Sequence, residues 1–457
     1  FYFLTLAAFA ILLVAARNIV KSRWGRAFMA IRESEIAAKA SGVNVYRFKI
    51  TAFALSAVYA AIGGWLYVHS VGFIAPQFPA QIPESFRYVV MMIVGGTGSL
   101  AGPVVGATAI QWSESQLQAL GEDIPALSAL SDFTLQYPNI LLGVLIIAAV
   151  ALAPAGIVGI GRSIAARIRR AAGGGGAAAP RRTRTAPALA RPQPREIPVL
   201  QDDVILEARE MSKVFGGLRA NDRISLRVRR GSVHALIGPN GSGKTTFINV
   251  LTGVYVPEEG EVRFLGRRIS GAPAHVTVEL GMGRTFQNLQ LWRRMNVLDN
   301  VMVGLHVRGR SGLLSCASRM PWATREEERL RQRALGLLEF VGLGDSAGLT
   351  AGQLPYGPQR RLEVARALAL DPSFLILDEP AAGLNPAEVA SFTQLIRRIR
   401  QAGITVFLIE HHMDLVMAVA DTITVLDFGE KIAEGPPREV ADDPRVIEAY
   451  LGAGATG

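Results

Sequence analysis

A single cysteine, Cys316, in 457 residues excludes an intrachain disulfide framework and any zinc site built on thiolates. Charge is sparse as well. Asp, Glu, Lys and Arg make up 19% of the chain and half of it is apolar, which excludes a disordered chain. Charge is missing altogether from residues 1–16, 50–74 and 138–161. A helix needs about 20 apolar residues to cross the hydrocarbon core. Three such runs in the first third of the chain read as membrane spans, in preference to buried helices of a soluble protein.

Basic residues are also missing from one loop. Residues 112–137 carry Glu114, Glu122, Asp123 and Asp132 and no Lys or Arg, whereas residues 17–49 carry eight basic residues against Glu33 and Glu35. Positive loops stay inside, so 17–49 is expected in the cytoplasm and 112–137 outside. Between them, the apolar stretch 88–111 is interrupted by Gly95-Gly-Thr-Gly-Ser-Leu-Ala-Gly-Pro103. Counted as a full crossing, it would put 112–137 inside and everything after residue 161 outside, against the charge pattern of the loops. A re-entrant or broken pair of half-helices, entering and leaving from the outer side, resolves the conflict and marks a pathway candidate. An ordinary glycine-rich helix packed closely on its neighbours fits the same residues equally well. The chain starts at Phe1, inside an apolar run and without methionine, and is expected to be a fragment lacking upstream spans.

What the chain has in excess is positive charge, +10 net. Its distribution decides its meaning. Residues 1–160 hold 9 basic and 7 acidic residues, residues 161–200 hold 9 arginines and one glutamate, and residues 201–457 hold 30 of each sign. The basicity therefore belongs to a low-complexity stretch beside an apolar run, where it marks a cytoplasmic flank and attracts anionic lipid headgroups. No nucleic-acid partner is expected, because the folded part is neutral. The expected domains are a transmembrane portion (1–160), a Gly/Pro/Arg-rich flexible linker (161–200) with an r.m.s. reach of roughly 35 Å, and a nucleotide-binding domain (201–457).

That last domain alternates short apolar strands with helical segments, as α/β folds do. The run Val233-His-Ala-Leu-Ile237 leads into Gly238-Pro-Asn240-Gly241-Ser242-Gly243-Lys244-Thr245-Thr246, followed by a helical run. A G-x-x-x-x-G-K-[ST] loop between strand and helix turns backbone N–H groups and a helix N-terminus onto phosphates. Lys244 is expected on the β- and γ-phosphates, and Thr245 on Mg2+. Phe374-Leu-Ile-Leu-Asp378-Glu379 reads as a buried strand ending in two carboxylates. Asp378 suits the Mg2+-holding position, and Glu379 is placed to polarise the attacking water as general base. The fold class is therefore multi-domain, an α-helical transmembrane segment followed by an α/β P-loop NTPase.

Further motifs give a resemblance. Leu354-Pro-Tyr-Gly357-Pro-Gln359-Arg-Arg-Leu-Glu-Val-Ala-Arg-Ala-Leu368 resembles the signature segment of ABC ATPases. Gln287 in Arg284-Thr-Phe-Gln-Asn-Leu matches the family's Q-loop, which places it with the metal and the catalytic group. Leu384-Asn385 lies in the D-loop, His411 matches the switch histidine, and Phe215 matches the aromatic that stacks on adenine. His412 is read as a surface residue, and the remaining histidines are given no role. Glu379-Pro-Ala-Ala-Gly-Leu-Asn-Pro386 and the closing segment through Gly452 look like the ATPase of branched-chain amino-acid importers. Ala30–Val43 and Gly95–Pro103 resemble the permease subunit of the same importers, so the chain is similar to a permease C-terminal portion fused to its ATPase.

The resemblance implies ATP and Mg2+ as cofactors and a multi-pass location in the cytoplasmic membrane with the ATPase on the cytoplasmic side. It also implies a second ATPase subunit, a second permease subunit and an extracytoplasmic solute-binding protein as partners. It assigns coupling between permease and ATPase to about Glu33–Gly42, with Glu33, Glu35 and Gly42, docking near Gln287. Leu354, Gly357 and Gln359 would serve the ATP bound by the partner. Pro355 and Pro358 depart from the family pattern and remove two N–H donors, from which a heterodimeric sandwich with an impaired partner site is expected. An importer of the same family for urea, short amides or other small amino acids is the nearest alternative. A soluble ABC regulator would need basic charge on its folded domain, and a receptor without turnover is disfavoured by intact Glu379 and His411.

Overall fold

In a computed structural model, residues 1–72, 82–123, 156–171, 192, 194–195 and 203–451 are described. The apolar run 138–161, the acidic loop 112–137 and the linker 161–200 lie largely outside these residues. The chain forms two compact units: residues 1–17 with 55–181, and residues 18–54 with 182–457.

The first unit takes most of the helices α1 (Tyr2–Val20) and α4 (Val45–Val71); between them, residues 18–54 include α2 (Arg23–Glu33) and α3 (Glu35–Ala40). Among the described residues, α1 and α4 are the helices long and apolar enough to cross a membrane. The Tyr59 hydroxyl donates to the Leu12 carbonyl at 3.0 Å, tying α4 to α1. The interrupted stretch is two helices, α5 (Ile82–Gly95) and α6 (Ala101–Asp123), separated at residues 96–100. They lie so close that a Cβ on Gly95 would meet the Gly102 carbonyl, and one on Gly106 the Met91 carbonyl. A break in the helix and close glycine packing thus occur in the same stretch. Helix α7 (Gly156–Ala171) runs eleven residues into the stretch read as linker. Composition hid it: Ile157, Ile160, Ile164 and Ile168 recur at helical spacing among arginines and alanines.

The second unit holds two sheets. A four-stranded antiparallel sheet has the order β2 (Leu218–Arg229), β1 (Val204–Phe215), β4 (Glu259–Phe264), β5 (Arg267–Arg268). A six-stranded sheet has the order β10 (Glu430–Gly435), β9 (Thr422–Asp427), β3 (Val233–Ile237), β8 (Thr405–Ile409), β7 (Phe374–Asp378), β6 (Met282–Arg284). The four pairings among β9, β3, β8, β7 and β6 are parallel, and only β10 pairs antiparallel. Every residue of β3, β7 and β8 is buried, as expected of continuous apolar strands covered on both faces. The further helices of this unit are α8 (Lys244–Leu251), α9 (Ala274–Glu279), α10 (Val297–Gly304), α11 (Leu313–Ala317), α12 (Pro321–Phe340), α13 (Tyr356–Leu368), α14 (Pro386–Gln401), α15 (Met413–Val419), α16 (Pro437–Ala441) and α17 (Pro444–Leu451).

Register places the chemistry. Ile409 pairs with both Leu236 and Asp378, so the loops leaving β3, β7 and β8 emerge side by side at the carboxyl end of the sheet. Ligands bind in that position in open α/β sheets.

Candidate nucleotide site and docking segment

The loop after β3 needs its glycines. Gly238 and Gly243 have φ of +151° and +91°, and a Cβ on either would meet the carbonyl oxygen of Leu426 or Ala220. The backbone therefore comes closer there than any side chain permits. Helix α8 starts directly after Gly243, so its orphan N–H groups face the loop. The Lys244 ammonium donates to the carbonyls of Gly238 (2.7 Å) and Pro239 (2.8 Å). Burial lowers its pKa, opposed by the negative charges of Glu379 and Asp378.

A cavity of about 430 Å³ lies over this loop, lined by Phe215, Asn240, Gly241, Ser242, Gly243, Lys244, Thr245, Thr246, Gln287 and Glu379. Residues read from the sequence at four separate places thus share one wall. Leu218, Arg219, Ala220, Phe428 and Gly429 line it too, and nothing in their residue types had marked them. Phe215 meets Tyr255 edge to face at 5.2 Å, with the Lys213 ammonium 5.0 Å from its ring centre. A larger hollow of about 730 Å³ on the four-stranded sheet has no comparable chemistry. Its Glu207 is taken up by Arg209 and Arg227, each at 2.8 Å.

Glu379 follows β7 in left-handed backbone, φ +45°, a conformation that non-glycine residues hold only where surrounding structure enforces it. Its N–H donates to the Ile409 carbonyl at 2.9 Å. The Gln287 amide donates to Glu379 Oε2 at 3.0 Å, and His411 Nδ1 stands 3.9 Å from the same oxygen. Two residues missed in the sequence hold this group. Buried Glu410 accepts the N–H groups of Ala381, His411 and His412 at 2.7–3.2 Å, tying the segment after β7 to the switch histidine. Buried Arg284 donates to Asp378 Oδ2 at 3.1 Å and to Asn249 Oδ1 at 2.8 Å. Burial raises the Asp378 carboxyl, and the Arg284 guanidinium opposes that rise. A lone arginine before a Q-loop gave no signal of this pairing.

Leu354, Gly357 and Gln359 gather at the N-terminus of α13, where the Gln359 amide donates to the Leu354 carbonyl at 2.7 Å. Pro355 is its N-cap, and Pro358 is its third residue. The D-loop ends in a capping box: Asn385 Oδ1 accepts the Glu388 N–H at 2.9 Å and Glu388 returns the bond at 3.0 Å. Three buried charges on α13 grip the Q-loop. Arg360 donates to the carbonyls of Phe286 (2.9 Å) and Gln287 (2.7 Å), Glu363 accepts the Phe286 N–H, and Arg366 donates to the Gln290 carbonyl.

Residues 18–54 belong to this unit. The carboxylates singled out in the sequence are not what makes the contact. Glu33 and Glu35 are exposed, and Glu35 pairs with Lys49 at 2.5 Å. Contact is made by Ala27, Ala30, Ala37, Ala38, Val43, Val45 and Phe48, all buried against Trp292, Met295 and Val303. The Trp292 indole donates to the Ala30 carbonyl at 3.0 Å, and Ser34 donates to the Gln290 side chain at 3.2 Å, three residues beyond Gln287. Gly42, at φ +77°, sits against Val307 and Val278. Small side chains let two backbones approach, a signal that charge-seeking overlooks.

Comparison with known proteins agrees with this geometry. The family model described as ABC transporter matches residues 221–382. The model for the branched-chain amino acid transport system permease component matches residues 1–150, and that for the branched-chain amino acid ATP-binding cassette transporter matches residues 430–456. The chain is 43% identical over 249 residues to the high-affinity branched-chain amino acid transport ATP-binding protein BraF of Pseudomonas aeruginosa, covering 54% of this chain and 98% of that one. It is 43% identical over 239 residues to LivG of Salmonella typhimurium, covering 52% and 94%. A solved nucleotide-free ATP-binding cassette from an ABC transporter is 35% identical, covers 55% of this chain and 99% of its own length, and has a TM-score of 0.49. Membership of this family implies an inner-membrane location, nucleotide binding, and partner permease and ATPase subunits. The chain belongs to the ABC transporter family, in its branched-chain amino-acid transport branch, and joins a permease component to an ATPase coupled to transport.

Proposed function

We propose that this chain imports branched-chain amino acids across the cytoplasmic membrane, supplying part of the pathway and one ATP-hydrolysing subunit. The observation that carries this reading is that the permease portion and the closing ATPase segment match branched-chain transport independently of each other. The proposed domains are 1–160, 161–200 and 201–457, with the ATPase on the cytoplasmic side. An extracytoplasmic binding protein delivers the solute.

At the nucleotide site, Phe215 stacks on the adenine, and the loop amides together with the Lys244 ammonium hold the phosphates. A phosphate oxygen competes with the Gly238 and Pro239 carbonyls for the protons of Lys244. Glu379 accepts a proton from the attacking water, oriented by Gln287, and His411 contacts the γ-phosphate. The donors present suit Mg2+: a hydroxyl, an amide and one carboxylate are hard oxygen ligands, and Mg2+ takes few protein ligands beside nucleotide phosphates. Among the described residues no group of three or more His, Cys, Asp or Glu could hold a metal without such help. Thr245, Gln287 and Asp378 would hold the ion, which would supply neutralisation of phosphate charge.

Leu354, Gly357 and Gln359 face the ATP of a different ATPase subunit in a heterodimeric sandwich. Prolines 355 and 358 weaken that partner site, leaving the site on Lys244, Asp378, Glu379 and His411 as the competent one. Glu33–Gly42 transmits closure of the sandwich to the permease. Isotope uptake by cells expressing the full set of subunits, with leucine, urea and an aromatic amino acid as competitors, tests the solute. Competition by leucine is expected. Competition by urea without leucine would overturn the assignment.

A further inference from the structure

The contact between residues 18–54 and the ATPase has two chemically different parts. The apolar part is permissive, because alanines against a tryptophan accept many surfaces of similar shape. The polar part is not. Arg26, on α2, is a charged side chain with only 5% of its surface exposed. Its guanidinium bonds both oxygens of Glu327 on α12, at 2.5 and 3.0 Å, and lies 3.9 Å from Asp299 on α10. The neighbouring Glu326 is occupied by the N–H groups of Arg310 and Ser311, which leaves Glu327 as the strong acceptor. Beside this pair, three bonds from α2 and the end of α1 run to backbone. Arg23 donates to the His306 carbonyl at 3.3 Å, the Trp24 indole to that of Ser311 at 3.3 Å, and Asn18 to that of Ala317 at 2.8 Å.

Backbone carbonyls recur on any ATPase of this fold, so those bonds do not discriminate. A buried guanidinium does. Opposite a surface without a matching carboxylate it would stay desolvated and unpaired, and this penalty is how one partner is rejected in favour of another. The two-oxygen geometry also demands arginine in preference to lysine. A transporter with two permease and two ATPase subunits has more than one way to pair them.

We infer that Arg26 and the notch formed by Glu327 and Asp299 are an address that selects which ATPase domain docks on this permease portion. The inference rests on the reading of α2–α3 as the docking segment. Two full-length chains with different tags, each with a protease site inserted at Gly173–Gly176, are assembled with their partner subunits in one membrane. One chain carries R26E and the other carries E327R. After cleavage and exchange, each tagged permease half is captured and the attached ATPase halves are quantified. The R26E permease half is expected to recover the E327R ATPase half at least about tenfold over the unsubstituted one, and the unsubstituted halves are expected to find each other. Even redistribution would overturn the address. Retained ATP binding by each ATPase half shows that it is folded. A third chain carrying A30W, which wedges against Trp292, separates the two ideas. If A30W releases its ATPase half while the charge variants mix evenly, only the address fails. If A30W is retained like the unsubstituted chain, the docking reading itself fails.

Discussion

Glu379 illustrates how a residue acquires its role from what surrounds it. Left-handed backbone turns it out of β7, the Ile409 carbonyl fixes its N–H, and Gln287 and His411 approach the same carboxylate oxygen. Glu379→Gln keeps the shape and removes the proposed base. ATP binding is expected to persist while turnover at this chain's site falls about 10²–10⁴-fold, as read by nucleotide binding beside phosphate release. Comparable loss from the matching change in the partner ATPase would sink the proposed asymmetry. Arg284 offers a contrasting case, because its effect is on stability. Arg284→Ala leaves the Asp378 carboxylate buried without its cation, which costs about 3–5 kcal/mol. Chemical denaturation should register that loss, with Arg284→Lys falling between. A denaturation midpoint unchanged by the alanine substitution would show that Asp378 draws its compensation from elsewhere.

At the scale of the element, α13 serves two neighbours at once. Its buried Arg360, Glu363 and Arg366 hold the Q-loop backbone, while its N-terminus carries the signature residues. Proline in the first turn costs the helix little, since those N–H groups lack intrahelical partners anyway. The same N–H groups are what a helix offers an anion. Pro355→Ser with Pro358→Gln is therefore expected to leave the melting temperature nearly unchanged and to raise ATP hydrolysis by the assembled complex. The measurement is made with Glu379→Gln in this chain, so that only the partner site reports. Unchanged hydrolysis would mean that the prolines are not what limits that site. Helix α7 carries a different lesson. Arginine and alanine content suggested linker, but isoleucines at helical spacing outweigh composition.

For the whole molecule, two buried histidines set an acid limit. Burial lowers His234 from 6.5 to about 4 and His306 from 6.5 to about 3. The fold keeps both neutral while the unfolded chain takes up protons below pH 6.5, so stability is lost as pH falls through the window from 6.5 toward 4. The slope is about 1.4 kcal/mol per pH unit for each histidine, and above pH 6.5 the contribution is complete. Unfolding should show this slope between about pH 5 and 6.5 and none of it from 6.5 to 8, and His234→Asn should remove roughly half of it. A slope that survives the substitution would assign the acid sensitivity to other groups.

The sequence by itself determined the nucleotide-binding fold, the order of its motifs and the family. A strand, a glycine-rich loop and a helix form a local unit whose chemistry is written in consecutive residues. Tertiary structure alone decided which distant groups meet. Arg284 reaches Asp378, 94 residues away, and Arg26 reaches Glu327, 301 residues away. In each case the sequence shows an ordinary charged residue, and only a buried guanidinium set against a carboxylate from a distant segment makes the pair specific. Of the three residues that the resemblance singled out between 33 and 42, Gly42 sits in the contact while Glu33 and Glu35 stay exposed, because carboxylates stand out in a sequence and alanines do not. Close approach of two backbones depends on what a side chain lacks, and that becomes visible only when the second surface is in place.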